Sequence, residues 1–220
     1  FVLLEAVAFI ITCIVLSILA FAYGDTAADI ADFKGIRHLD YFRAIPGVLK
    51  DASLFGLMVS LVLMISGFSI RYYLTQSGSS FGNCLGILIF WIDIFFFISL
   101  QWFIPIRSIM HNNFKKCLKK CFIIFFDNTG YSIAMAVYNL ILTVLSVAFL
   151  GFLPSVSGIL IADTNALRLR LYKYDYLEEH PELKTKKERK NIPWEELIYE
   201  DRESLGPRKL KSFLFPWKEE

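Results

Sequence analysis

The run ILIFWIDIFFFISLQWFIP, residues 87–105, holds one charge in nineteen positions, the carboxylate of Asp93. A helix rises about 1.5 Å per residue and a bilayer's hydrocarbon core is about 30 Å thick, so a run this long and this apolar reads as a membrane span. Comparable runs cover residues 1–23, 52–73, 122–150 and 151–167, the fourth interrupted by Asp127-Asn128-Thr129-Gly130. The expected fold is therefore all-α: a polytopic membrane helix bundle with five spans. Phe1 already lies inside an apolar run, so a sixth span is expected upstream of it.

Composition supports that class. The 220 residues are 55% hydrophobic with a mean hydropathy of +0.50, too apolar for an ordinary soluble domain. The net charge of +2 hides a division between a bundle at 1–172 and a charged tail at 173–220. Eleven basic and twelve acidic residues leave that tail near neutrality, which does not suit a nucleic-acid or polybasic lipid ligand. No basic leader precedes the first run, so it does not read as a signal peptide.

Charge in the connections gives the bundle a direction. The link after the second span and the turn near Gly151 carry none. Lys34, Arg37, Arg43 and Lys50 lie in one connection, Arg107, Lys115, Lys116, Lys119 and Lys120 in the next, and Arg168, Arg170 and Lys173 follow the last span. With five spans all three basic groups fall on one side, which the positive-inside rule makes cytoplasmic, together with the C-terminus. Two of these groups read as amphipathic helices along the inner interface. Leu39, Phe42, Ile45 and Leu49 recur at helical spacing beside Arg43 and Lys50; Ile109, Phe114, Leu118 and Phe122 do so beside the lysines at 115, 116, 119 and 120.

Few residues are placed to carry chemistry. Asp93 lies deep in its span and must face protein or water; it reads either as a proton or cation site or as a structural bond to Ser60, Ser66, Asn139, Thr143 or Ser146. Asp163 and Asn165, near the inner end of the last span, read as a polar clasp with Arg168 and Arg107. Glu5 and Arg71 sit where an interface would solvate them, Arg71 by snorkelling. Cys117 and Cys121 are four apart with His111 nearby, but a second ligand pair for a tetrahedral metal is missing from the sequence. Gly56, Ser60 and Gly67 offer close helix approach. The sequence contains no phosphate loop, nucleophile elbow, zinc-protease helix or dinucleotide fingerprint, so neither an enzyme nor a cofactor is expected.

The tail carries the remaining expectation. Trp194, Leu197 and Ile198 fall on one side of a short amphipathic segment, and Phe213, Leu214, Phe215 and Trp217 crowd apolar rings into a polar end. Such residues want burial, which points to docking on another protein.

Three stretches resemble the YesL-like family of small bacterial membrane proteins. They are HLDYFRAIPGVLKDASLFGLMVSL, where an aromatic-basic helix enters a span; WFIPIRSIMHNNFKKCLKKCFIIFFDN, a span closed by Pro and Arg before a basic helix; and FLGFLPSVSGILIADTNALRLRLYKY, a Pro-containing turn before the last helix. Members are often encoded beside carbohydrate ABC importers. The resemblance therefore implies an accessory subunit of a transport assembly in the bacterial inner membrane, with lipid and other membrane subunits as partners. A small transporter or channel using Asp93 is the other function to weigh.

Overall fold

The computed structural model describes residues 2–151, 155–182, 189 and 191–205. Among them the chain is helical, without a strand. Contacts divide it into Phe1–Leu167 and Arg168–Glu220, a boundary inside the seventh helix.

In the first unit, α1 (Val2–Ala31) and α2 (His38–Arg71) form a helical hairpin, and α2 winds into a π-helical turn at Tyr72–Gln76. Then come α3 (Ser80–Leu100), α4 (Phe103–Met110), α5 (Phe114–Asp127) and α6 (Thr129–Ala148), and α7 (Val156–Glu179) begins here. Four helical stretches are long and apolar enough to cross a membrane: Leu3–Ala31, Leu39–Gln76, Ser80–Met110 and Thr129–Ala148. Large apolar side chains such as Phe68, Phe81, Leu140 and Val147 point outward, the reverse of a soluble core.

One helix boundary departs from the expected one. The polar stretch after residue 23 is not a loop, because α1 runs on to Ala31. Its alanines favour helix, and the Thr26 hydroxyl bonds to the Tyr23 carbonyl at 2.9 Å. The segment beginning at His38 runs directly into the second span within one helix, as expected, and that helix passes Pro46 unbroken although proline offers no backbone N–H. Asp40 starts it by accepting a 2.8 Å bond from the Arg37 N–H.

The four apolar stretches do not include α7, whose first half carries Asp163, Thr164 and Asn165. Two bonds tie that half to α6: the Tyr131 hydroxyl donates to the Ala166 carbonyl at 3.4 Å, and Asn139 Nδ2 to Asp163 Oδ1 at 2.7 Å.

Packing concentrates toward one end of the bundle. Phe21, Phe55, Phe103 and Phe114 bring α1, α2, α4 and α5 together, with ring centroids 4.8 to 5.8 Å apart. Trp102 is fully buried, donates its indole N–H to Ser132 Oγ at 3.0 Å and stacks on Tyr131. Asn128 closes α5 and opens α6, so the Asp127-Asn128 break joins two helices as its polarity suggests.

The second unit holds the rest of α7 with α8 (Trp194–Leu197) and α9 (Tyr199–Leu205). Arg168 donates to the Tyr172 hydroxyl at 2.6 Å and to Asp201 Oδ1 at 3.1 Å, and the same hydroxyl reaches Asp201 Oδ2 at 3.2 Å. Tyr176 and His180 stack with centroids 4.2 Å apart.

Candidate functional site: an arginine clasp beside a basic groove

The bundle's strongest polar cluster gathers residues far apart in sequence. Gly24 on α1 lies so close to Ile104 and Ser108 of α4 that a Cβ there would overlap the Ile104 methyl. That approach sets the next residue, Asp25, against α4. Arg107 Nη1 donates to both Asp25 oxygens at 2.6 and 2.7 Å, and Ser108 Oγ donates to Asp25 Oδ1 at 2.7 Å. Arg107 Nη2 reaches the Gly47 carbonyl at 3.1 Å, and its Nε lies 3.5 Å from Asp51 Oδ2. One guanidinium thereby links α1, α2 and α4. With 12% of the Arg107 side chain exposed, against 27% and 25% for Asp25 and Asp51, these charges are partly desolvated and mutually satisfied.

Beside the clasp a groove of about 900 Å³ opens between α2 and the start of α5. Lys50, Lys115 and Lys116 stand at its charged end with Asp51 and Asn113. Leu54, Leu57, Met58 and Leu61 continue it along α2, and Phe114 lies against it. Of the four interface lysines, Lys115, Lys116 and Lys119 are exposed; Lys120 is half-buried, its ammonium 2.9 Å from Met110 Sδ. Opposite them α5 buries Cys117, Cys121, Ile124 and Phe125. Burial pushes both thiols above the ordinary range, Cys121 further than Cys117. Protonated, buried thiols are poor nucleophiles and poor metal ligands, and His111 is exposed. The described residues hold no group of three potential metal ligands.

Asp93 differs from its structural expectation. It is half-buried in α3 and makes no hydrogen bond or ion pair among the described residues. The hydroxyls expected to hold it turn inward on their own helices: Ser60 bonds to the Leu57 carbonyl, Ser66 to Val62 and Thr143 to Asn139, at 2.7 to 2.8 Å. Asn139 is committed to Asp163 instead. The clasp expected of Asp163, Asn165, Arg168 and Arg107 is also rearranged. Asp163 is 4% exposed on Asn139, Asn165 is exposed, Arg107 holds Asp25, and Arg168 holds Asp201 in the second unit. A shared inner end of the bundle suggests those pairings; helix packing supplies Asp163 and Arg107 with partners 24 and 82 residues away instead.

Gly56 makes the expected close approach, a Cβ there lying 2.7 Å from Ile14 Cα, whereas Gly67 faces open space. Trp194 is half-buried in α8. Phe213, Leu214, Phe215 and Trp217 lie outside the described residues. The Asp25–Arg107 clasp was not expected from the sequence, where its available signal is an aspartate beside a glycine at the end of an apolar run. Comparison with family models, with curated proteins and with solved structures gives no match.

Proposed function

We propose that the chain is a non-enzymatic auxiliary subunit of a larger assembly in the bacterial cytoplasmic membrane, with a carbohydrate ABC importer as its partner. Asp93 carries this reading. A carboxylate near the middle of an apolar helix costs about 2.5–3.5 kcal/mol on insertion scales, and such residues normally pair. This one has no partner among the described residues, while Trp91, Ile92 and Phe95 around it are exposed. A hydrogen-bond donor on a neighbouring subunit's helix would satisfy it and fix the register of docking.

The basic connections support an inner face carrying Arg107 and the α5 lysines, with α5 and the start of α2 along the headgroup boundary. On that orientation the tail is cytoplasmic, and Trp194 with the aromatic residues at 213–217 gives it apolar anchors for the partner's cytoplasmic parts. The importer as partner class comes from the family resemblance.

Asp93 also favours one other reading, a small transporter or channel in which its carboxylate exchanges a proton or cation. The Asp93→Asn and Asp93→Leu variants separate the two. An auxiliary subunit loses its partner on a native gel with Leu and keeps part of it with Asn, which still bonds. A transporter loses proton or substrate flux in reconstituted vesicles with Asn, whatever its assembly. A wild-type chain that migrates alone after mild extraction contradicts the auxiliary role.

A further inference from the structure

The groove beside the clasp combines two chemistries in one line. On α2, Lys50, Leu54, Leu57 with Met58, and Leu61 follow one another at helical spacing, so a cation heads an apolar stripe. From Lys50 to Leu61 the stripe is about 16 Å long, close to the depth of one leaflet in a hydrocarbon core of about 30 Å. The stripe is uncovered: Leu54, Leu57 and Leu61 are 44%, 39% and 44% exposed. At its head α5 adds Lys115 and Lys116, both exposed, and the first amides of that helix, to which the Asn113 side chain gives no cap. Asp51 is the acid on this rim, and Arg107 already holds it. The free charge at the head is therefore positive.

We propose that this groove binds one anionic phospholipid, its phosphodiester between Lys50, Lys115 and Lys116 and one acyl chain along the leucine stripe. Three ammonium groups and helix amides complement a phosphodiester. A zwitterionic headgroup brings its own cation against them and gains less. The apolar stripe distinguishes a lipid from a free phosphate, because a small anion leaves all of it bare. This site is independent of the auxiliary-subunit reading, since a lipid can sit here whatever Asp93 contacts.

The test uses the full chain in mild detergent, titrated with phosphatidylglycerol, phosphatidylcholine or glycerol phosphate and read by native mass spectrometry. One phosphatidylglycerol should bind about tenfold more tightly than phosphatidylcholine. Replacing Lys50, Lys115 and Lys116 together by Gln should weaken it about a hundredfold and erase the preference, at roughly a fivefold loss per lysine. All three are exposed, so the variant should fold, which thermal melting verifies. Lys119→Gln, on α5 but outside the groove, should leave binding unchanged. Equal binding of the two lipids, an equal loss with Lys119→Gln, or glycerol phosphate binding as tightly as the lipid would each overturn the proposal.

Discussion

Arg107 ties three helices of this bundle together, because it meets two carboxylates and a backbone carbonyl from two other helices. Removing one member strands the rest, so Asp25→Ala should cost about 1–3 kcal/mol, seen as a lower melting temperature in detergent. Arg107→Lys should not rescue it, since one ammonium lacks the planar fork that serves Asp25, Asp51 and Gly47 at once. The glycines give a paired test. Gly56→Leu must push α1 away from α2, whereas Gly67→Ala meets nothing within 4 Å and should stabilise by about 0.5–1 kcal/mol. Equal effects at the two positions would contradict the packing. These residues were only partly legible beforehand. Gly56 could be read from its small-residue pattern, but the Asp25–Arg107 pair spans 82 positions and only the close approach at Gly24 makes it.

At the level of elements, hydrophobic periodicity located the helices and misjudged where they end. Ala27 and Ala31 keep α1 helical through the polar segment after residue 23, whereas α2 carries an interfacial segment into a span without a break, as expected. In α7 the apolar residues at 156–162 lead into Asp163, and α6 supplies Asn139 to that carboxylate and Tyr131 to the Ala166 carbonyl. The α5 face is directly testable. Thiolates are the species that react, and burial raises Cys117 and Cys121, so maleimide should label both slowly at neutral pH and faster only as the pH is made alkaline. Cys84, exposed near the start of α3, should label readily at neutral pH. An impermeant maleimide reaching Cys84 from the outer side of intact cells agrees with the proposed orientation; labelling only in inverted vesicles contradicts it.

For the whole molecule, four apolar helical stretches, outward-facing apolar side chains and a polar clasp linking α1, α2 and α4 describe a membrane protein. Asp93, deep in the third of these stretches, is a carboxylate the sequence displays openly and the fold leaves without a partner among the described residues. Its depth in a span could be read in advance. Its lack of a partner could not, because serine and threonine hydroxyls in apolar helices turn to their own carbonyls. The proposed role follows from that carboxylate, and native mass spectrometry of the gently extracted protein tests it most directly. The wild-type protein should show a mass above that of the single chain, with added subunits that are lost in Asp93→Leu while the chain itself stays folded. An isolated wild-type chain, or an assembly of unchanged mass in Asp93→Leu, would contradict it.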